Sequence, residues 1–315
     1  MALIKEPGVY PTIAAEAYHV DPCPAPSLSS SIGELLIERS PLHAWFAHPR
    51  LNKDYAPKES AAFDLGKAAH SLMLGDPQDF AIIDADDWRT KEAKAQRDEA
   101  YVARKIPLLR AQWDRVVAMV AAGRKQLAAH EDARDAFTAG KPEVTLVWRE
   151  VDVWCRARPD WMHDKLPAPW RDYKTTGVSA EPDSFARQLY GMGYDFQAAF
   201  YRRGIRALGL DPDPRFEFVV QETEAPYALA VIGLPPAALD LANRKCEEAI
   251  AFWDWCLKKD SWPGYPARTA YVDPPGYHEA RWLGREARDA LATEHGADAR
   301  FAQGLRFSLP EYTRA

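Results

Sequence analysis

The sequence changes its period at residue 142, and that switch limits the folds open to it. From there, PEVTLVWREVDVWCRARPDWM alternates apolar and polar residues and is rich in β-branched side chains. Such alternation fits a half-buried strand and not a helix. It sets Val151, Val153, Cys155 and Ala157 on one face, with Asp152, Trp154, Arg156, Arg158 and Asp160 on the other. Two antiparallel strands joined near residues 149–152 accommodate the pattern. WRDYKTT at 170–176 predicts a third strand, and 215–223 and 227–234 predict two more. A helix separates them, strongest over 194–208, and a long helix from about 237 to 259 follows Pro235 and Pro236.

Ahead of residue 142 the signals are helical. In LSSSIGELLIERS a serine N-cap with Glu34 close behind opens one helix, and Pro41 opens a short second one through LHAWFAH. Residues 59–75 repeat Leu65, Ala69, Leu72 and Met73 at helical spacing, with Gly75 and Pro77 as the stop. Residues 88–137 read as helices broken near Pro107. Helices, three strands, a helix, two strands and a helix predict an α/β fold: a central mixed sheet flanked by helices, with an N-terminal helical elaboration. The expected organisation is an extended arm at 1–26, a main domain at 27–267, and a tail at 268–315 suited to assembly or partner binding, with one helical stretch at 278–292.

Composition narrows the classes. Hydrophobic residues make up 47% and charged residues 27%, as in a globular protein. No apolar run approaches the ~18 residues of a membrane span, and the N-terminus has no signal-peptide core, so a cytoplasmic protein without membrane association is expected. The net charge of −6 argues against coating nucleic acid through bulk charge, but permits a local basic groove. Cys23, Cys155, Cys246 and Cys256 form no C-x-x-C pair, which argues against zinc, and they lack the close spacing of an iron–sulfur site.

Asp172 and Lys174 are two apart in a strand and project to one side, while Tyr173 turns away. Asp160 ends the preceding strand, and if the strands are neighbours two carboxylates and an ammonium converge. Hard oxygen ligands suit Mg²⁺, with Mn²⁺ as the alternative. A divalent ion with a nearby lysine suits phosphodiester hydrolysis, because both neutralise charge on the phosphoryl group. A D-x-K triplet by itself is usually an ordinary surface ion pair. Here it has company.

R-P-D-W at 158–161, D-Y-K-T-T at 172–176 and Q-x-x-x-Y at 197–201, preceded by G-x-x-x-H at 66–70, resemble the PD-(D/E)XK nuclease superfamily. LSSSIGELLIERSPLHAWFAHPRLN, FDLGKAAHSLMLG, WRTKEAKAQRDEA and ARPDWM resemble, more narrowly, the RecE-like (exonuclease VIII) nuclease domain of phages and prophages, over roughly residues 15–265. The resemblance implies a restriction-endonuclease-like core. It implies Asp160 and Asp172 as metal ligands, Lys174 as the catalytic lysine and His70 as a further ligand. Gln197 and Tyr201 would contact DNA or orient the site, and Glu143 is a further catalytic candidate. Arg156 and Arg158, on the Asp160 face, and Arg202, just past the Gln197 turn, are the cations expected to meet DNA.

The activity so implied is a Mg²⁺-dependent 5′-to-3′ exodeoxyribonuclease. It would resect double-stranded DNA ends to 3′ single-stranded overhangs in phage-type recombination, in the host cytoplasm if the gene is a phage's. The implied partners are DNA ends, copies of the chain in a homo-oligomeric ring such as a tetramer, and a RecT-like single-strand annealing protein. The rival readings are another PD-(D/E)XK nuclease, RecB-like or CRISPR-adaptation-like, and a catalytically silent DNA-binding or assembly module.

Overall fold

The computed structural model describes residues 3–56, 61–75 and 80–294, with side chains not described at 61–64 and 291–294. The expected helix start at 59–60, the Pro77 stop and the end of the tail lie outside the described residues. The N-terminal segment carries β1 (Gly8–Tyr10) and α1 (Ala15–His19), followed by α2 (Ser30–Glu38), α3 (Pro41–Ala47) and α4 (Ala61–Leu74). Ser40 caps α3 by accepting the His43 N–H, and Pro41 fills the first helical position, where its missing N–H costs nothing. Gly75, at φ +70°, closes α4 in the left-handed conformation that glycine adopts without strain.

The expected helical stretch at 88–137 is interrupted by a strand. β2 (Phe80–Ile83) pairs in parallel with β3 (Ile106–Leu109), between α5 (Lys91–Val102) and α6 (Arg110–Ala128). Pro107 stops the helix as expected, and the apolar residues around it then line a two-stranded sheet. Turns occupy the rest of the stretch, after Ala128.

β4 (Gly140–Pro142), β5 (Thr145–Glu150), β6 (Val153–Ala157), β7 (Trp161–His163) and β8 (Trp170–Thr176) follow. β5 and β6 form the antiparallel hairpin expected from the alternation, turning at Val151, which has φ +55°. Val153, Cys155 and Ala157 are buried, as the alternation requires, whereas Val151 sits exposed in the turn. Asp160 does not end a strand. It lies in the link between β6 and β7, which join different sheets.

After β8 come α7 (Pro182–Gly191), α8 (Tyr194–Ala207), β9 (Phe216–Glu222), β10 (Leu229–Gly233) and α9 (Pro236–Lys259). The main sheet has the order β10-β9-β8-β7-β4. β8 and β9 are parallel, and the other neighbours are antiparallel, so the sheet is mixed. A second sheet, β1-β5-β6, stands beside it.

β8 divides two cores. Trp170 joins Phe216, Phe218 and Val220 of β9 in a cluster with α2, α8 and α9, whereas Tyr173 and Val219 face a cluster built on α4 and α6. Two close approaches lock the first cluster. A methyl group on Gly33 would lie 2.7 Å from the Phe196 ring, and one on Gly204 would lie 2.6 Å from the Trp148 ring. The chain divides into two compact units, one ending at Gly264 and one beginning at Tyr265. The second holds α10 (Gly276–Glu294), where Arg285 sits 5.2 Å over the Trp282 ring. No helix among the described residues is long and apolar enough to cross a membrane.

Candidate active site

β8 carries the centre of the site. Asp172 and Lys174 occupy one face, and the Lys174 ammonium forms an ion pair with the Asp172 carboxylate. Tyr173 turns to the other face, where its hydroxyl donates to Gln221 at 2.6 Å. β7 meets β8 at a single registered pair, Trp161 with Arg171, so the backbone ladder does not continue to Tyr173. The Asp160 carboxylate takes its place and accepts the Tyr173 N–H at 2.7 Å. That bond pins Asp160 beside the Asp172/Lys174 pair.

Three other elements complete the cluster. From α4, His70 Nε2 lies 3.1 Å from Asp160, and its Nδ1 lies 3.7 Å from Glu143. Glu143 sits at φ +49° between β4 and β5. Its N–H donates to the Asp160 carbonyl at 2.9 Å, and its carboxylate pairs with Arg158 at 2.8 Å. From α8, Gln197 donates to Asp172 at 2.9 Å, and Tyr201, one turn on, reaches the Arg158 carbonyl at 3.5 Å.

The charges explain one another. Burial raises the Asp172 carboxyl and the neighbouring Asp160 raises it further, to about 6, although Lys174 pulls it down. Burial also works against the Lys174 ammonium, but Asp172 and Asp160 outweigh it and hold its pKa above the usual lysine range. For His70, burial would lower the pKa, but the charge and hydrogen bond of Asp160 dominate and lift it to about 9. Asp160 shows the reciprocal effect: burial raises its carboxyl, and His70 with Lys174 brings it below its ordinary value. His70, Lys174 and Asp160 follow from opposite charges held out of water, and Asp172 from burial beside a like charge.

Glu143, Asp160, Asp172, Lys174, Gln197 and Tyr201 line a cleft of about 420 Å³, and His70 reaches Asp160 and Glu143 from behind this lining. Arg156 and Arg158 line it too, and both are engaged rather than solvated: Arg156 with Ser27, and Arg158 with Glu143 and Thr145. Arg202 is not brought to the cleft. A single residue step past Tyr201 turns it by about 100° around α8, and its guanidinium is held by the Pro214 carbonyl at 2.6 Å and Asp213 at 2.9 Å. The sequence reading also passed over His19, Glu34 and Tyr194, which line the same cleft. Tyr194 has its ring 4.8 Å from the Lys174 ammonium. Its place at the first turn of the helix that bears Gln197 was a readable signal, since residues three apart share a helix face.

The donor set fits a divalent cation. Asp160, Asp172 and Glu143 offer hard oxygens and His70 an imidazole nitrogen, and a cation would relieve the repulsion that raises Asp172. Among the described residues, however, no three His, Cys, Asp or Glu side chains are already gathered around one point as a metal site. Asp160 and Asp172 are turned instead toward His70 and Lys174.

Residues 38–275 match the sequence family described as a PDDEXK-like domain of unknown function (DUF3799). The chain belongs to this family. The PDDEXK-like domain shares its fold with a crystal structure of a candidate exonuclease from Eubacterium rectale, at a TM-score of 0.53 and 10% identity over 85% of this chain and 98% of that chain. At that identity the likeness shows the fold alone, and it agrees with the PD-(D/E)XK core expected from the motifs. A second solved structure, SSO0001, has a TM-score of 0.26 and 13% identity over 61% of this chain and 85% of that one, too low to carry an argument. No functionally curated protein matches the sequence significantly.

Proposed function

We propose that this PDDEXK-like domain is a metal-dependent exodeoxyribonuclease that acts on double-stranded DNA ends. The observation that carries the reading is the meeting of Asp160, Asp172 and Lys174, from the β6–β7 link and β8, in one cleft, with His70 of α4 3.1 Å from Asp160. His70, Asp160 and Asp172, with Glu143 beside them, would hold Mg²⁺. A bound divalent cation supplies Lewis-acid stabilisation of charge on the phosphoryl oxygens. Lys174 stays protonated between two carboxylates and adds a second positive charge for the phosphoryl group. Gln197 fixes the rotation of the Asp172 carboxylate, and the Tyr173 N–H fixes Asp160.

The preference for duplex ends, the 5′-to-3′ polarity and the role in phage-type recombination are supported by the resemblance of the motifs to RecE-like exonucleases. The same support extends to a ring-forming homo-oligomer and a RecT-like annealing partner. Digestion of linear and covalently closed duplex DNA with Mg²⁺ tests the reading. Loss of the linear form alone, releasing label from the 5′ terminus first, is the expected result. Cutting of the closed circle would make the enzyme an endonuclease.

One observation favours a second reading, a catalytically silent DNA-binding module: the carboxylates are paired internally instead of being gathered as a metal site among the described residues. Under that reading both DNA forms survive at every Mg²⁺ or Mn²⁺ concentration.

A further inference from the structure

One buried carboxylate outside the family match gathers an unusual set of partners. Asp21 precedes the matched segment and has φ +65°, a left-handed conformation uncommon for a residue with a side chain. Its carboxylate, fully buried, accepts the Ser27 N–H at 2.8 Å, the Ser27 hydroxyl at 2.7 Å and the Cys23 N–H at 3.2 Å. Arg156 lies 3.4 Å away, His48 3.4 Å and Arg50 3.6 Å. Burial works to raise the carboxyl, but the His48 hydrogen bond, Arg156 and Ser27 hold it at about 2.

The same segment is fastened along the cleft. The Leu28 N–H donates to the Trp154 carbonyl at 2.8 Å and the Arg156 N–H to the Leu28 carbonyl at 2.9 Å, so the segment grips β6 on both sides of Cys155, up to the backbone of Arg156. Arg156 Nη1 donates to the Ser27 carbonyl at 2.8 Å and the Ser27 hydroxyl at 2.5 Å. Its Nε, buried in a side chain that lines the cleft, has no acceptor among the described residues. Arg158 Nη1 donates to the Ile13 carbonyl at 2.7 Å. The Tyr18 ring lies under both guanidiniums, at 5.5 and 5.7 Å.

We propose that residues 13–29 form one wall of the substrate cleft and that Asp21 is a positioning residue, holding Arg156 against that wall for the backbone of the entering strand. The proposal rests on the reading of this cleft as a DNA site. Arg50 and Arg156 share the one Asp21 carboxylate, so Arg156 brings a positive charge to the cleft that holds Asp160 and Asp172. A polyanion approaching two carboxylates needs such a charge. A buried guanidinium keeps its place only while a counter-charge and acceptors hold it. Removal of the Asp21 charge therefore releases Arg156 from its anchored rotamer.

The sign of the effect separates this role from bulk electrostatics. Deletion of a negative charge near a DNA site should tighten binding if charge alone matters. Loss of positioning weakens it. The test uses full-length wild type, Asp21→Asn and Ser27→Ala, with folding checked by circular dichroism and thermal melting. A fluorescent blunt duplex is bound in EDTA and followed by anisotropy, and linear duplex is digested with Mg²⁺ for kcat and KM.

The expected result for Asp21→Asn is binding weaker by about fivefold to tenfold, with KM raised by the same factor and kcat within about twofold of wild type. Ser27→Ala, a smaller change that decides the matter if Asp21→Asn does not fold, should weaken binding by about twofold to threefold. Folded variants that bind as well as or better than wild type would overturn the proposal. A wild-type chain that binds duplex but does not cut it refutes the nuclease reading alone, and the binding measurement still decides the role of Asp21. A wild type that neither binds nor cuts refutes both.

Discussion

Gln197 donates a 2.9 Å hydrogen bond to Asp172 and so ties the first turns of α8 to the centre of β8. The other Asp172 oxygen faces Lys174. With one oxygen held from each side, the carboxylate has a single orientation available. Gln197→Ala should leave the fold intact and lower kcat by about tenfold to a hundredfold, the usual effect of removing a group that orients a ligand. Steady-state kinetics on linear duplex DNA would show the loss in kcat. A change confined to KM would mean that Gln197 contacts DNA instead.

Asp160→Ala, Asp172→Ala and Lys174→Ala should each reduce cleavage by at least about 10²–10³-fold, because the first two remove carboxylates that would hold the cation and the third removes the positive charge meant for the phosphoryl group. Lys174→Ala should retain duplex affinity better than it retains cleavage, since the cationic wall of Arg156 and Arg158 is left in place. Measurement of binding and digestion on one preparation separates the two. Wild-type turnover in any of the three variants would remove the assignment of this cleft as the catalytic site.

Arg202→Ala should leave duplex affinity within about twofold of wild type, because its guanidinium is committed to Pro214 and Asp213 and does not line the cleft. It should lower stability by about 1–2 kcal/mol through the carbonyl bond it gives up. Anisotropy and a urea melt measure the two effects independently.

Much of this geometry could be read from local signals. WRDYKTT is bounded by proline and glycine, so β8 has the limits expected of it, and the common face of Asp172 and Lys174 follows from period two. The β5–β6 hairpin and α8 were legible for the same reason. What escaped depends on distant pairing. β3 is four residues of a parallel pair whose partner lies some 26 positions earlier, and nothing in IPLL announces a neighbour that far away. Asp160 was expected at a strand end, but a change of sheet between β6 and β7 puts it in the link, where it substitutes for a ladder acceptor. Arg202 was placed at the site by sequence nearness to Gln197, which a helix does not respect. The arm was expected to be extended, yet it holds β1 and α1, and its Asp21 reaches Arg156 of β6 more than a hundred residues away in sequence.

Gly204 on α8 faces the Trp148 ring so closely that a methyl group would sit 2.6 Å from it. Both residues are in the main core, and the tryptophan is buried against Phe200 with ring centroids 5.0 Å apart, leaving it no free direction to move. Gly204→Ala should therefore destabilise the fold by about 1–3 kcal/mol despite alanine's better helix propensity. A lower midpoint in chemical denaturation is the expected observation. Unchanged stability would show that β5 and α8 can separate at small cost.

The His70–Asp160 pair gives the metal-free protein a defined pH dependence. His70 has its pKa raised from 6.5 to about 9, so the folded state binds this proton more tightly than the unfolded chain does. The stabilisation is complete below pH 6.5 and is lost as pH rises through 9. The melting temperature in EDTA should accordingly fall between pH 6.5 and 9, and His70→Ala should flatten that slope. Asp160, lowered by the same contact, loses its contribution only as pH drops below the ordinary carboxylate range. A protonated imidazole cannot ligate a metal, so Mg²⁺ or Mn²⁺ binding at pH 7 must displace the His70 proton. Calorimetric titration in buffers of different ionisation enthalpy should reveal the release of about one proton per site in wild type, and none from this position in His70→Ala. Equal heats across the buffers in wild type would take His70 out of the ligand set.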